Sequence, residues 1–330
     1  MAYTTIDDPS AYFKVQLYTG TGSSHAVAFN DTDTTMQPDL VWIKQRDDAV
    51  SHFLFDSVRG TTKWLKGDDT TAENTDANSL TAFGSDGFTV GTGTSFNNSS
   101  STYVAWCWKE SATAGFDINI HSGTGSSADV SHNLSAVPEI IMTKRRSATQ
   151  QWFVYTTTTG SQDALFLDST SAESNQPAAY DALPTSSVTN YGNDNAVNGS
   201  GDTYVAYLWK NVQGFSRMGI YKGNGNADGP FVYTGFKPAW LMIKHTGSTQ
   251  GWEIWDNKRS PSNSGGNIIA ANSDAAERSN STWAALDFLS NGFKVRYTDA
   301  LNNTNGSTYF FMAFAEAPFV NSEGVPCTAR

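Results

Sequence analysis

Two acid–base pairs are the most reactive-looking features of this chain. Asp56 and Arg59 follow the aromatic run Phe53-Leu54-Phe55, and Asp256 and Arg259 follow Glu253-Ile254-Trp255. A carboxylate and a guanidinium three residues apart at a strand end can close a charge-assisted bridge that fixes the corner. The same groups could instead face a ligand; the structural bridge is the expected role. Glycoside hydrolysis would need a second carboxyl group roughly 5–9.5 Å from the first. Glu73 and Asp86 are the partners on offer for Asp56, but Asp86 corresponds to Asn291 further along, so no such pair returns throughout the chain. The histidines, His25, His52, His121, His132 and His245, form no H-x-H or H-E-x-x-H spacing. Cys107 and Cys327 have no metal-ligand spacing either. Asp68-Asp69 offers oxygen ligands of the kind Ca²⁺ takes, without the loop spacing of an EF-hand. The expectation is no catalytic residue, no cofactor and no metal. Trp152, Trp252 and Trp255 are candidate stacking platforms for a glycan or another partner. Trp42, Trp106, Trp108, Trp209 and Trp240 lie in apolar runs and belong to core or inter-module packing.

The elements that carry these residues occur three times. Pro38-Asp39-Leu40-Val41-Trp42-Ile43-Lys44 returns as Pro138-Glu139-Ile140-Ile141-Met142-Thr143-Lys144 and as Pro238-Ala239-Trp240-Leu241-Met242-Ile243-Lys244. Tyr103-Val104-Ala105-Trp106-Cys107-Trp108-Lys109 returns as Tyr204-Val205-Ala206-Tyr207-Leu208-Trp209-Lys210 and Tyr309-Phe310-Phe311-Met312-Ala313-Phe314-Ala315. The prolines stand one hundred residues apart, and each is expected to open a strand that runs to Lys44, Lys144 or Lys244. A period that long is a whole domain, not a solenoid turn.

Within each copy, alternating segments such as Phe13 to Tyr18 and continuous apolar runs such as Leu40 to Ile43 read as strands separated by turn chemistry. Helical signals are confined to the short polar stretches Asp69 to Asn78 and Asn272 to Ser281. The fold expected is all-β: three tandem antiparallel β-sandwich modules, jelly-roll or concanavalin-like, over 1–110, 111–212 and 213–330, the last with a C-terminal tail. The linkers, Glu110 to Gly115 and Asn211 to Gly214, are short enough that the modules should form one rigid body with approximate three-fold internal symmetry.

Composition narrows the function classes. A net charge of −11 repels phosphate and argues against nucleic-acid binding. Only 16% of residues are charged, so Ser, Thr, Asn and Gly must cover much of the surface, as on fibrous and virion proteins. No run is apolar for about 18 residues, so no membrane-inserted helix is expected, and Met1 to Pro9 has no basic and apolar signal-peptide regions.

The motifs above, with Phe53-Leu54-Phe55-Asp56-Ser57-Val58-Arg59-Gly60, Asp86-Gly87-Phe88-Thr89-Val90 and Ala313-Phe314-Ala315-Glu316-Ala317-Pro318-Phe319, resemble a triple-repeat family of virion structural and tail-associated proteins of marine tailed bacteriophages. The resemblance spans about Tyr12 to Val320. It implies a non-enzymatic virion protein made in the host cytoplasm, foremost a tail-fibre or receptor-binding component. A capsid decoration or head-fibre protein is the alternative, and a glycan depolymerase stands behind both. The partners implied are other virion proteins, further copies of the chain in a homo-oligomer, with a trimer as the guess, and host surface glycan. Attachment is expected to fall on the segments that differ between copies: Thr61 to Asn78, Thr156 to Gln162 and Asn257 to Asn267.

Overall fold

In the first copy, Phe13–Thr19 pairs with Thr102–Trp108, which pairs with the proline-led strand Leu40–Gln45. The sheet then runs outward through Phe53–Asp56, Lys63–Lys66 and Asn74–Thr75. The second copy repeats the order with Phe116–Ser122, Thr203–Trp209, Ile140–Arg145, Phe153–Thr156, Asp163–Phe166 and Ser174–Asn175. The third does so with Ser216–Lys222, Thr308–Pro318, Phe236–His245, Trp252–Asp256, Asn267–Ala270 and Arg278–Ser279. All of these pairings are antiparallel. A smaller sheet covers one face of each large one, built on His25–Ala28, Ala128–Ser131 and Phe231–Tyr233 respectively. This computed structural model describes residues 2–29, 34–160, 162–279 and 285–328. The chain is thus all-β, with several antiparallel sheets in sandwich-like layers.

The aromatic strands Thr102–Trp108, Thr203–Trp209 and Thr308–Pro318 are second in their sheets, never at an edge, so the ladder covers both their sides. Their faces divide the core in the manner of a pleated strand. In the first copy Val41, Ile43, Tyr103, Ala105 and Cys107 face the small sheet. Leu40, Trp42, Val104, Trp106 and Trp108 face the other way and join one core with Met142, Tyr207, Trp209, Trp240, Met242 and Phe314 from the other copies. Trp108 packs edge-on against Trp209 and Trp240, at centroid distances of 6.0 and 5.6 Å. The modules are therefore joined by a shared hydrophobic interior.

Three local expectations need correction. Leu40–Gln45 and Ile140–Arg145 start after their prolines, but the third strand starts at Phe236 and takes Pro238 inside it. Proline has no N–H for the ladder, and the pairing with Thr308–Pro318 shifts register on either side of it. The stretch Asp69 to Asn78 is not helical; it contains the strand Asn74–Thr75. Asn272 to Ser281 contains the strand Arg278–Ser279, with Asn280 and Ser281 outside the described residues. Among the described residues the α-helices are the single turns Thr94–Asn97 and Asn195–Asn198.

Those turns end in Asn97 and Asn198, part of a fully buried asparagine device that recurs in every copy. Asn97, Asn198 and Asn303 accept a hydrogen bond from the backbone N–H of Thr21, Thr124 and Asn224, at 2.7, 2.9 and 2.8 Å. Each donates in turn to backbone carbonyls, those of Gly91, Gly192 and Tyr297 at 2.8, 2.7 and 2.6 Å. The Gly-x-Gly turn they pin lies hard against its neighbour: a Cβ on Gly20, Gly123 or Gly223 would sit 2.1, 2.0 or 2.3 Å from a backbone oxygen. Asn198→Ala removes a buried partner from several backbone groups at once. It is expected to lower unfolding free energy by about 1–3 kcal/mol, read as a shifted urea midpoint at constant slope.

Candidate functional site

Asp56, Arg59, Asp256 and Arg259, with Glu73, His52, Trp152 and Trp252, lie at joints between copies. Asp56 and Arg59 form the expected bridge, Nε to Oδ2 at 2.5 Å, with both side chains fully buried. Asp256 and Arg259 do the same at 2.5 Å. The carboxylate also fixes the corner, accepting from the Arg59 N–H at 2.7 Å and the Arg259 N–H at 2.8 Å. A neighbouring copy completes each pair. Tyr207 of the second copy donates to Asp56 Oδ2 at 2.7 Å, and Trp106 Nε1 of the first donates to Asp256 Oδ2 at 3.0 Å.

A half-buried glutamate extends each network across the joint. Glu73 takes Arg59 at 3.0 Å and binds Arg146 of the second copy through both oxygens, at 2.8 and 2.9 Å. Glu277 takes Arg259 at 3.4 Å and binds Arg46 of the first copy likewise, at 2.8 and 3.0 Å. Their backbone N–H groups reach Arg146 O and Arg46 O at 3.0 and 2.7 Å. Burial alone would push the Arg59 guanidinium down, but Asp56, Tyr207 and Glu73 outweigh it and hold it above its usual value. Burial likewise works against the Glu73 charge, while Arg146 and Arg59 keep its carboxyl below the usual range.

The joint between the second and third copies has the same plan without the Asp–Arg pair and without the facing arginine. Thr156 and Thr159 stand at the Asp and Arg positions, and the Thr159 N–H reaches Thr156 Oγ1 at 3.2 Å, so the corner survives. Met312 occupies the register of Trp106 and Tyr207, opposite Met242, and brings no donor. Glu173 keeps the backbone contact, N–H to Thr246 O at 2.7 Å, but threonine replaces the arginine. Burial, with the nearby Asp163 charge, raises the Glu173 carboxyl above its usual value. Carboxylate, guanidinium and aromatic donor are thus all replaced at this joint, by Thr156, Thr159 and Met312.

A second ring of contacts uses residue 52 and its counterparts. Trp152 Nε1 donates to Lys66 O of the first copy at 2.7 Å, and Trp252 Nε1 to Phe166 O of the second at 2.8 Å. His52 Nε2 lies 3.0 Å from Ala270 O of the third, its Nδ1 accepting from Trp42 Nε1 at 2.9 Å. First touches third, second touches first, third touches second: the ring is closed. This overturns the stacking role expected for Trp152, Trp252 and Trp255. They are 0%, 0% and 1% exposed, and no ring face is left for a sugar.

Lys44, Lys144 and Lys244 are also fully buried at the joints. Lys144 Nζ donates to Asp69 O of the first copy and Lys244 Nζ to Thr170 O of the second, both at 3.3 Å. Burial pulls all three ammonium groups down to about 8.

The segments expected to carry attachment are partly spent in the same way. Glu73 lies within Thr61 to Asn78, Thr159 within Thr156 to Gln162 and Arg259 within Asn257 to Asn267, each tied into a joint or its corner; Ser161 lies outside the described residues. Asp86 accepts from the Met36 N–H at 3.1 Å, far from that use. Among the described residues no group of three or more His, Cys, Asp or Glu side chains could hold a metal ion, and no helix is long and apolar enough to cross a membrane.

No curated protein and no solved structure matches the chain. A family model described as a domain of unknown function, DUF7483, matches residues 8–318. That span takes in all three copies and every joint contact described above. The chain belongs to the DUF7483 family.

Proposed function

We propose that this chain is a non-enzymatic structural protein of a bacteriophage particle, working in a tail fibre or receptor-binding complex and contacting other virion proteins and host surface glycan. One observation carries the non-enzymatic part. Asp56, Arg59, Asp256, Arg259, Glu73 and Glu277, with the Trp106, Trp152 and Trp252 indole N–H groups, are engaged in hydrogen bonds that hold copies together. The placement on a particle rests on the repeat motifs and their resemblance to virion proteins, and on a surface rich in hydroxyl and amide groups. Capsid decoration is the second placement, and assembly into a trimer belongs to the same reading.

Labelled antibody against the chain, imaged on purified particles of the encoding phage, should mark the tail tip or fibres. Label on the head would move the protein to the capsid, and particles free of the chain by mass spectrometry would end the reading. Incubation with host surface polysaccharide should release no new reducing ends; turnover that disappears in an Asp56 or Glu73 variant would make it a depolymerase.

A further inference from the structure

The third copy departs from the other two at one outer corner. Between the edge of its large sheet, Ser216–Lys222, and the edge of its small sheet, Phe231–Tyr233, lies an open cleft of about 630 Å³. Phe311 lines it, with Arg217, Ile220, Phe231 and Tyr233 around it and Glu139 of the second copy across the joint.

Strand register shows what is particular to this copy. Phe231 and Tyr233 flank Val232, which pairs with Phe293. The same two places hold Ala26 and Ala28 around Val27 in the first copy, and Asp129 and Ser131 around Val130 in the second. On the opposite edge, Gln16, Asn119 and Gly219 share a register, paired with Ala105, Ala206 and Phe311. In the second copy Asn119 Nδ2 donates to Ser131 O and ties the two edges together. In the third there is no side chain to make that tie. The Phe311 ring takes the space instead, so close that a Cβ on Gly219 would lie 3.2 Å from it. This exchange of sizes accounts for the glycine. It does not account for Phe231, Tyr233 and Ile220, which stand 47%, 54% and 49% exposed around one opening. Large apolar groups gathered at one exposed place mark an interaction site more often than the same groups scattered singly.

We propose that this cleft binds a saccharide. Phe231 and Tyr233, two residues apart, project from the same face of one strand, roughly 6.5 Å from each other along it. They offer two adjacent ring faces to the C–H surface of a sugar, while Arg217 can donate to hydroxyl groups and Glu139 can accept from them. The volume falls in the ~300–1,000 Å³ range of small-ligand sites. An added peptide strand fits less well. The Phe231–Tyr233 edge is three residues long, preceded by Pro230 and followed by Gly235 at φ 86°, and is a poor template for a β-ladder. The site rests on the attachment reading above and gives it a glycan-binding place that the buried tryptophans do not.

Saturation-transfer NMR on the purified whole chain, with methyl glycosides of glucose, galactose, N-acetylglucosamine and glucuronic acid as probes, tests it. Transfer to at least one glycoside is expected. Phe231→Ala with Tyr233→Ala, which installs the residues of the first copy, should cut the signal at least tenfold while lowering the melting temperature only slightly, because the hydrogen bond of the Tyr233 hydroxyl, to Tyr3 at 2.9 Å, is exposed. Arg217→Ala should cut it several-fold. No transfer to any of the four, or equal transfer in the double variant, would overturn the proposal. So would light scattering that finds a dimer dispersed by the double variant with glycoside signals unchanged, because the cleft would then be a contact between copies of the chain. A chain that binds glycosides but is absent from phage particles would leave this site standing and remove only the particle reading.

Discussion

Asp256→Ala is expected to destabilise the protein by about 3–5 kcal/mol, the cost of leaving a buried charge without its partner. Arg259 would stay fully buried with its principal counter-charge gone, and the Trp106 indole N–H would lose the acceptor it reaches from the neighbouring copy. The second copy suggests a way to separate the pair's net worth from that penalty. Its joint holds Thr156 and Thr159 at the charged positions, and the third copy brings Met312 where the others bring an aromatic donor. Trp106→Met, Asp256→Thr and Arg259→Thr together install that Met and Thr–Thr corner between the third copy and the first, leaving the Glu277–Arg46 pair in place. The triple variant should be more stable than Asp256→Ala alone despite carrying three changes, because no unpaired buried charge remains. Urea unfolding of the three proteins decides it. An Asp256→Ala midpoint equal to wild type would mean the pair holds nothing together, and a triple variant less stable than Asp256→Ala would mean the three positions do not act as a unit.

The second large effect is on pH. Maximal stability usually lies between about pH 5 and 8, but this protein should become more stable between about pH 8 and 9.5. Lys44, Lys144 and Lys244 are pulled down to about 8 in the folded chain by burial. In the unfolded chain they return to about 10.4. Between those values the unfolded state binds more protons, so unfolding free energy rises with pH, by roughly 1–3 kcal/mol per lysine if the whole interval is crossed. Below pH 8 each ammonium is charged in both states and the burial cost is fully present. Near pH 10 the trend must reverse, because Tyr18, Tyr207 and Tyr221 are buried with hydroxyls held far above their usual range. At lower pH the raised acids work the other way. Asp168, pushed up to about 6, and Glu110, pushed up to about 7, make the folded state the better proton binder, so stability falls as pH climbs from 4 towards 7. Denaturant midpoints at pH 7.5, 8.5 and 9.5 should increase in order, and Lys→Met at 44, 144 and 244 should flatten the series. A flat or falling wild-type series would show that the lysines lose their protons no more readily folded than unfolded.

Local pattern and long-range packing account for what the sequence reveals and hides. The continuous run Leu40 to Ile43 implies a strand buried on both faces, and it is; what the run does not say is that one of those faces is covered by another copy of the repeat. The same blindness explains the tryptophans. Trp152 follows Gln150-Gln151 and Trp252 follows Gln250-Gly251, surroundings that suit an exposed ring. Both are buried by a carbonyl-bearing strand 86 residues earlier in the chain, which no local window contains. The Asp–Arg bridges were legible because their partners are three residues apart. The glutamates that extend them were not, since Arg146 and Arg46 lie 73 and 231 residues from Glu73 and Glu277. The buried asparagines do carry a sequence signal: Asn97, Asn198 and Asn303 each stand six residues before the first tyrosine of an aromatic strand. Pro238 misled because a proline at a strand start and a proline at a bulge look alike in sequence.

A closed ring of three joints behaves differently under damage from a row of domains. In a row, one cut in a linker releases everything beyond it. Here each copy is gripped on two sides, so a nick between residues 211 and 214 would free neither piece: the second copy would still hold the first through Glu73 and Arg146, and the third would still hold the first through Glu277 and Arg46. The covalent linker beside the joint that lacks an Asp–Arg pair is the one the ring can best spare, provided the two joints that have one are intact. Such a chain would keep its shape after proteolysis that leaves two bands on a denaturing gel, a useful property for any protein that must stay assembled where it can no longer be replaced.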